Sequence, residues 1–562
     1  MTTTFGGALV LDSALAGKIT VDSLLETLTL RERVGQVIMP WLLGNYAAFE
    51  SEEYETLAVW IDSLDVGGIV ISVGSPLDVA AKLNALQRRS RLPLLIAADL
   101  EWGAGMRLRG ATSFPMAMAV GATGRELDAY EMGRVTALEA RAVGIHLTFS
   151  PVADLNNNPR NPIINTRSFG EDPRHASMLL AAYVHGAREH GLFTTAKHFP
   201  GHGDTDLDSH IDLPVVPGCW GRLDTLELVP FRAAIDAGVT AVMTAHVAMP
   251  CVDGTAAPPA TLSRYVMTDM LRDSLGFDGI VVTDALAMEA IVARYGAGES
   301  AVRAFEAGSD VLLMPADVRG TRDAMMDAVL SGRISEARLD RSVRRLLALK
   351  DEAGLLAHRT VPLDSVPAVV GRRDFREIAD DIAARSLTLV QAGPLDRFRG
   401  RRHRTAVITY AEESNLSIGD QLLREMRRQA ESTTSFRLYP SSGPASYDSA
   451  RTHIAGYPRV LFAVSVRFIA GRGHVDLPEP LAALILETDR ATPTVVASLG
   501  SPYLLAQLSG FGGGYLVAWS DVPATERAVA RAVAGGARIT GTLPITLSPI
   551  YPRGHGVIVG GR

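Results

Sequence analysis

The feature that most constrains the fold is a short apolar run, rich in β-branched residues, that occurs eight times in the first part of the chain. Each run has the length of a β-strand, and the stretches between most consecutive runs leave room for a helix. Gly144, Gly238 and Gly308 stand shortly before three of the runs, where a helix is expected to end. The runs are residues 34–39, 66–71, 94–98, 145–150, 194–198, 241–246, 280–283 and 311–314.

This repetition predicts an α/β fold that begins with a (β/α)8 TIM-type barrel. An open doubly wound sheet is the alternative, but the sequence has no GxGxxG turn, and we favour the barrel. The functional site of a barrel lies at the carboxyl ends of its strands, where this chain carries polar residues. They are Asp99 and Glu101 after the third run, Asp154 and Arg167 after the fourth, His198 at the end of the fifth, His246 at the end of the sixth and Asp284 after the seventh.

The second part of the chain predicts a smaller α/β sandwich domain. Residues 359–371 are rich in proline and valine and have the character of a linker. Beyond them, strand-like runs alternate with helical patterns, as in a layered α/β domain. The predicted strands are 405–409, 460–466, 494–498 and 515–519, and the predicted helices are 375–386, 418–428 and 524–533. We expect the barrel at 1–355, a linker and connecting helix at 356–385, and the sandwich at 386–562.

Composition excludes several functional classes. A chain of 562 residues suggests two or three domains, and a net charge of -7 gives no basic surface for nucleic acid. A chain with this charge accommodates a neutral ligand more easily than nucleic acid. The two cysteines, Cys219 and Cys251, are too few for a four-cysteine zinc site, and we expect two buried free thiols.

The N-terminal segment predicts no export signal. Residues 1–22 carry no basic stretch before their apolar residues, which are interrupted by Gly6, Gly7 and Asp12. No stretch of the sequence approaches the roughly 20 apolar residues of a membrane span. We therefore expect a cytoplasmic protein without membrane contact.

The chemistry is expected in residues 194–214, TTAKHFPGHGDTDLDSHIDLP, which read as a strand followed by a long loop. Asp208 and His210 flank one serine in this loop. A carboxylate beside an imidazole can fix its tautomer and support its charged form, as a general acid that later acts as a base requires. The alternative is that the aspartates only solvate the loop.

A metal site is the other alternative for this loop. Asp204, Asp206 and Asp208 have the spacing that begins an EF-hand. Ser209 replaces the required glycine, however, and Val215 stands where the closing glutamate belongs. We expect no metal.

The motif KHFPGHGDT at 197–205, followed by Asp208, Ser209 and His210, resembles the signature loop of the glycoside hydrolase family 3 β-N-acetylglucosaminidases. The segments SLTLV from Ser386 and GTLPITL from Gly541 are similar to the second domain of two-domain members, so the resemblance covers nearly the whole chain. It implies that His210 is the catalytic acid/base and Asp208 its partner.

Asp284, in IVVTDALAMEAI, is the candidate nucleophile. Hydrolysis of a β-glycoside with retention needs a carboxylate that attacks and an acid that protonates the departing oxygen. An aspartate after a buried strand is equally often the N-cap of the next helix, here expected at 285–293. The TDxLxM setting resembles the nucleophile motif of the family, and this resemblance favours the catalytic role.

The resemblance also implies a set of sugar-binding residues. Asp99 is similar to an aspartate that binds sugar hydroxyls, and Arg107, Arg167, Lys197 and His198 match positions that line the same pocket. The residues alone also allow other interactions for three of these side chains. Arg167 would then neutralise Glu171 or Asp172, Lys197 would pair with Asp154, and Asp99 would cap a loop.

Two further histidines are less closely tied to the reaction. His202 is expected to shape the loop by hydrogen bonding. His246 is expected either to line the pocket or to be a satisfied core histidine.

Together these features predict a retaining exo-β-N-acetylglucosaminidase without metal or organic cofactor, acting on a carbohydrate, with a homodimer as the candidate assembly. A phosphorylase is the first alternative, because an imidazole acid/base leaves no carboxylate to repel an anionic acceptor. A β-glucosidase with a carboxylate acid from the second domain, or a sugar-binding protein with an inactive pocket, would be further alternatives. The natural leaving group is not implied.

Overall fold

A computed structural model describes residues 20–48, 50–255, 257–399, 404–429, 432–469, 471 and 475–561. The N-terminal segment for which no export signal is predicted lies mostly outside them. The strands of the first part fall close to the predicted runs. They are β1 (Ile38–Met39), β2 (Trp41–Leu42), β3 (Gly68–Ile71), β4 (Leu95–Ala98), β5 (Leu147–Thr148), β6 (Thr195–Phe199), β7 (Ala241–Thr244), β8 (Ile280–Val282) and β9 (Leu312–Leu313).

Parallel pairing connects these strands in a ring. Strands β2 to β5 pair in order, β6 to β8 pair in order, and β1 pairs with β9. Isolated parallel bridges from Leu147 to Phe193 and from Val282 to Val311 connect the remaining neighbours. Pro40 separates β1 from β2 because a proline has no N–H to contribute to the ladder. The pairings confirm an α/β fold built mostly from parallel strands.

Helices fill the connections between the strands, and their first residues explain where they start. Thr29 and Glu32 form a reciprocal capping box, and Ser75 and Asp172 cap helices that begin with proline. The α-helices of this part are Val21–Glu26, Leu30–Gln36, Glu52–Asp62, Pro76–Arg89, Ala117–Thr123, Glu126–Ala142, Pro173–Arg188, Trp220–Thr225, Val229–Asp236, Pro250–Asp253, Glu289–Tyr295, Ala297–Ala307, Val318–Leu330 and Glu336–Glu352, and Tyr265–Ser274 is a π-helix.

The first predicted strand, 34–39, is partly wrong. Its first three residues belong to the helix Leu30–Gln36, which the capping box starts. Val34 is fully buried on the inner face of that helix. A buried helical residue directly before a strand extends the apolar run, and periodicity over so short a stretch does not separate the two.

A six-stranded sheet forms the second part of the chain. Its order is β10-β15-β14-β13-β11-β12, and all pairs are parallel except β10 with β15. The strands are β10 (Thr388–Gln391), β11 (Arg404–Tyr410), β12 (Ser432–Leu438), β13 (Val460–Val464), β14 (Thr494–Ser498) and β15 (Gly514–Val517), and the helices from the linker onward are Val366–Val369, Arg373–Ser386, Asp420–Arg428, Pro444–Ile454, Glu479–Ala491 and Pro523–Ala534. The edge strand β12 was not predicted because its sequence, STTSFRL, is polar and half-exposed.

The two parts of the chain share buried contacts. Met118 and Ala122, from a helix of the first part, lie in the apolar core of the second sheet. The carboxylate of Glu171 accepts hydrogen bonds from the backbone N–H and the hydroxyl of Thr546, at 2.8 and 2.7 Å. Among the described helices, none combines the length and apolar character that crossing a membrane requires.

The prediction of two buried free thiols is wrong. Cys219 and Cys251 are exposed and joined by a disulfide, with Cα atoms 5.1 Å apart. They are 32 residues apart in sequence, but they lie on connections that follow the neighbouring strands β6 and β7. Disulfides are typical of oxidising compartments, so the pair weighs against the expected cytoplasmic location.

The disulfide predicts two measurable properties. Protein purified without reductant should present no reactive thiol, and two thiols after reduction. The double variant Cys219→Ser/Cys251→Ser should lower the free energy of unfolding by about 2–4 kcal/mol, because the bridge restricts a loop of the unfolded chain. Thiol titration and urea unfolding measure both. Two reactive thiols in the air-purified protein would contradict the pairing.

Candidate active site

Polar side chains gather where the strands of the ring end. Asp99 and Glu101 follow β4, Lys197 and His198 lie within β6, and Asp284 follows β8. Parallel strands end at the same edge, so these residues face one pocket. The described residues hold no cluster of three or more His, Cys, Asp or Glu side chains arranged for a metal ion.

A buried ion network centred on Lys197 lines this pocket. Lys197 Nζ donates to Asp99 Oδ1 at 2.9 Å and contacts Glu101 Oε1 at 2.7 Å. Arg167 donates two parallel hydrogen bonds to Glu101, both of 2.8 Å, and Arg107 donates to Asp99 Oδ2 at 3.1 Å. Burial alone would raise the pKa values of Asp99 and Glu101, but the neighbouring cations outweigh it and lower both. The carboxylates are therefore ionised at neutral pH.

These contacts exclude the simpler partners considered from the sequence. Arg167 does not neutralise Glu171, which binds Thr546 instead. Lys197 pairs with the carboxylates after β4 and not with Asp154. Asp99 forms ion pairs with Arg107 and Lys197 instead of capping a loop.

Asp154 holds the start of the signature loop. Its Oδ2 accepts from His198 Nδ1 at 2.7 Å and from the His198 backbone N–H at 3.0 Å, and its Oδ1 accepts from the His202 backbone N–H at 2.6 Å. His198 Nε2 lies 3.3 Å from Arg167 Nη2. A guanidinium only donates, so Nε2 is the acceptor and Nδ1 carries the proton. His198 is thus oriented between a carboxylate and a cation.

His202 is a structural residue of the loop. Its Nδ1 lies 2.9 Å from Thr205 Oγ1, and its Nε2 lies 3.1 Å from Ser209 Oγ. Burial and the nearby His198 lower the pKa of His202 to about 4. The ring therefore stays neutral and connects both ends of the loop before His210.

Asp284 lies half-buried at the end of β8. Burial alone would raise its pKa, but His246, His198, the Ala285 N–H and His210 together lower it to about 2. Its Oδ1 accepts from the Ala285 N–H at 2.8 Å. The next helix, Glu289–Tyr295, begins four residues later than the expected 285–293 and is preceded by Met288, so Asp284 does not fill the alternative role of its N-cap.

His246 beside Asp284 is a satisfied core histidine. It is fully buried, and burial lowers its pKa. Its Nε2 donates to the Ala285 carbonyl at 3.0 Å, and its Nδ1 lies 2.8 Å from Thr261 Oγ1. A neutral ring with its proton on Nε2 fits both contacts.

Asp208 and His210 form the expected pair. Asp208 Oδ1 accepts from His210 Nδ1 and from the His210 backbone N–H, both at 2.8 Å. Burial raises the pKa of Asp208, but the hydrogen bonds from His210 and from the Gly471 N–H outweigh it and lower the pKa. Asp208 is fully buried, whereas the His210 side chain is 36% exposed. The carboxylate is therefore fixed, whereas the imidazole is partly open to solvent.

The other aspartates of the loop form ion pairs with arginines. Asp204 lies 2.7 Å from Arg222, and Asp206 lies 2.9 Å from Arg160. Only Asp208 of the three contacts His210 within the described residues. The three aspartates therefore differ in role: Asp204 and Asp206 pair with arginines, and Asp208 pairs with His210.

Sequence reasoning missed the roles of two residues of this site and the presence of two others. The positions of Glu101 and Asp154 after β4 and β5 place both at the strand ends that form the site, but the sequence assigned them no role in it. Phe468 and Gly471 come from the second part of the chain and contact His210 and Asp208. No sequence motif distinguishes Phe468 or Gly471 from their neighbours.

The buried His202 predicts a loss of stability in acid. Its pKa is about 4 in the folded chain, while an unfolded histidine titrates near ~6.5, so only the unfolded chain binds this proton between the two values. Above pH ~6.5 the group has no effect. Its contribution to the free energy of unfolding falls by about 3 kcal/mol as the pH drops to 4.

Urea unfolding between pH 7 and pH 4 measures this effect. In His202→Gln the free energy of unfolding should fall less steeply with pH, by a slope that corresponds to about one proton fewer. His358→Gln, at an exposed position, should keep the wild-type slope. A wild-type slope in His202→Gln would contradict the assignment.

Comparison with known proteins identifies the family of this chain. The description "Glycosyl hydrolase family 3 N terminal domain" matches residues 29–349. A β-N-acetylglucosaminidase/β-glucosidase of Cellulomonas fimi is 31% identical over 471 residues, which are 80% of this chain and 83% of the relative.

Two solved structures are also similar. A glycoside hydrolase family 3 β-N-acetylglucosaminidase from Paenibacillus sp. str. FPU-7 is 35% identical with a TM-score of 0.84, and the match covers 93% of this chain and 99% of that one. A β-glucoside phosphorylase, 24% identical with a TM-score of 0.84 over 94% of this chain and 96% of its own, shares the fold. The family that the loop resembles is thereby confirmed: the chain belongs to glycosyl hydrolase family 3 and is a glycoside hydrolase.

Proposed function

We propose that the protein is a retaining exo-β-N-acetylglucosaminidase with Asp284 as nucleophile and His210 as acid/base. The observation that carries this proposal is the pairing of two groups in one electrostatic site. Asp284 is kept ionised, with a pKa of about 2, and His210 is among the groups that lower this pKa. A charged carboxylate and an oriented imidazole are the two groups that double displacement requires.

In the first step, Asp284 attacks the anomeric carbon, and His210 donates a proton to the departing oxygen. A covalent glycosyl-enzyme forms, the glycosidic bond breaks, and the imidazole is left neutral. In the second step, His210 removes a proton from water as the water attacks the anomeric carbon, which frees Asp284 and restores the imidazolium. Asp208 supports the charged ring in both steps through its 2.8 Å hydrogen bond to Nδ1.

The ion network provides the sugar-binding groups. We propose Asp99, Arg107, Arg167, Lys197 and His198 as the residues that hold the terminal sugar. The ammonium of Lys197 has three N–H donors, of which Asp99 and Glu101 occupy two. The ionised carboxylates can accept from hydroxyl groups, and charged partners make such hydrogen bonds strong and directional.

The specificity for an N-acetylglucosaminide is supported by relatives. The protein from Paenibacillus sp. str. FPU-7, of nearly the same length, is described as a β-N-acetylglucosaminidase. The relative from Cellulomonas fimi carries both β-N-acetylglucosaminidase and β-glucosidase in its name. A glucoside is therefore the competing substrate to test.

Phosphorolysis is a second candidate, favoured by the state of Asp208. This carboxylate is buried and accepts hydrogen bonds from His210 and Gly471. An anionic acceptor that approaches the glycosyl-enzyme would meet an imidazole instead of an exposed carboxylate.

We also propose that the ring of parallel strands is a (β/α)8 barrel of the TIM type. The barrel would comprise residues 1–355, the connecting segment 356–385, and the α/β sandwich 386–562. The pairing of neighbouring strands and the position of the site at their carboxyl ends support this architecture.

Removal of the nucleophile should abolish turnover. Asp284→Ala should lower kcat for 4-nitrophenyl N-acetyl-β-glucosaminide on the order of 10⁴-fold, because no other group takes over the attack. Asp278→Ala is a matched control, since this exposed aspartate precedes the same strand at its opposite end. Near-normal activity of Asp284→Ala would remove the proposed mechanism.

Removal of the acid should have an effect that depends on the leaving group. His210→Ala should spare formation of the glycosyl-enzyme from the 4-nitrophenyl substrate, whose leaving group needs little protonation. The same variant should lose roughly 10²–10⁴-fold on an alkyl N-acetyl-β-glucosaminide. Single-turnover kinetics on both substrates measure the difference. Equal losses would argue against the acid role.

Product analysis separates the two candidate functions and the competing substrate. The wild-type enzyme should release free N-acetylglucosamine in buffers with and without phosphate, and should prefer N-acetylglucosaminide to glucoside. A sugar phosphate formed only in phosphate buffer would establish the phosphorylase instead, and a preference for glucoside would overturn the proposed specificity.

A further inference from the structure

The second part of the chain sends a short segment to the candidate acid/base. This segment, which we call the strap, comprises residues 467–469 and 471 and follows strand β13. It leaves the carboxyl end of β13, in the middle of the six-stranded sheet, and contacts the signature loop of the first part.

The first contact completes the hydrogen bonding of Asp208. The Gly471 N–H donates to Asp208 Oδ2 at 2.8 Å, while the two N–H groups of His210 occupy Oδ1. Asp208 is fully buried, where an ionised oxygen without a donor is costly. The strap therefore provides one of the donors that hold the carboxylate in place.

The second contact is made by the ring of Phe468. Its centroid lies 6.1 Å from the centroid of the His210 ring, at an interplanar angle of 41°. The guanidinium carbon of Arg167 lies 5.4 Å from the same centroid, within the range of a cation–π interaction. One aromatic side chain thus touches both the candidate acid/base and the ion network.

The base of the strap is anchored to its own sheet. Arg467 Nε lies 3.3 Å from Asp521 Oδ2, which also accepts a 2.9 Å hydrogen bond from Ser465 Oγ. The Ser501 N–H donates to the Val466 carbonyl at 2.7 Å. Because its base is fixed in this way, the strap couples the position of the second sheet to that of the pocket.

We propose that Phe468 and Gly471 are positioning residues for the acid/base, so that the second part of the chain is a component of the active site. The inference rests on the proposed role of His210. Gly471 fixes the carboxylate that orients the imidazole, and Phe468 limits the positions open to the ring. Proton transfer depends steeply on geometry, so a loosened imidazole should slow only the steps in which it moves a proton.

The test compares Phe468→Ala with its neighbour Ile469→Ala. Ile469 lies on the same strap but lines a different cavity of about 500 Å³, together with Tyr410 and Leu477. Phe468→Ala should lose roughly 10–100-fold in the single-turnover rate on an alkyl N-acetyl-β-glucosaminide and little on the 4-nitrophenyl substrate. Phe468→Leu should recover part of the loss, and Ile469→Ala should match the wild type. Thermal unfolding of each variant checks that it is folded.

The outcomes separate this inference from the function on which it rests. If His210→Ala shows the leaving-group dependence but Phe468→Ala does not, the role of the strap is overturned and the acid/base assignment stands. Equal losses of Phe468→Ala on both substrates would also overturn it, since they indicate a general structural effect. If His210→Ala shows no leaving-group dependence, both proposals fail together.

Discussion

The buried ion network around Lys197 is the constraint on which the rest of the pocket depends. Placing a charge in a protein interior costs several kcal/mol unless a partner of opposite sign lies close by. Glu101 satisfies two cations, Lys197 and Arg167, and Asp99 satisfies Lys197 and Arg107. Lys197 and Arg167 reach these carboxylates from segments other than the β4 connection, so the strands must pair correctly before their charges are compensated. Correct pairing of the strands and formation of the polar pocket therefore depend on each other.

The proposed acid/base pair extends this dependence to the second part of the chain. Asp208 accepts hydrogen bonds from its own loop and from Gly471, and the Phe468 ring lies near both His210 and Arg167. A flexible loop that carries a catalytic residue needs external contacts to define its position, because its own backbone provides few. In this family 3 chain, the second sheet provides such contacts.

The sequence predicted what depends on local pattern and missed what depends on contact between distant segments. Strands such as β4 and β14 were predicted within one residue because buried parallel strands are continuous apolar runs. The spacing of Asp208 and His210 allowed their pairing, and the resemblance of the loop to the family favoured it over simple solvation of the aspartates. The Gly471 contact, 263 residues from Asp208, and the disulfide of Cys219 with Cys251 leave no trace in local pattern. Only the closed arrangement of strands and loops brings them together.

The most direct test of the central claim is identification of the covalent intermediate. The enzyme would be incubated with an activated 5-fluoro derivative of N-acetylglucosamine, which slows breakdown of a glycosyl-enzyme, and then digested for peptide mass spectrometry. The account predicts one added sugar on the peptide that contains Asp284, and no adduct in Asp284→Ala. An adduct on a different carboxylate, or turnover without any adduct, would contradict it.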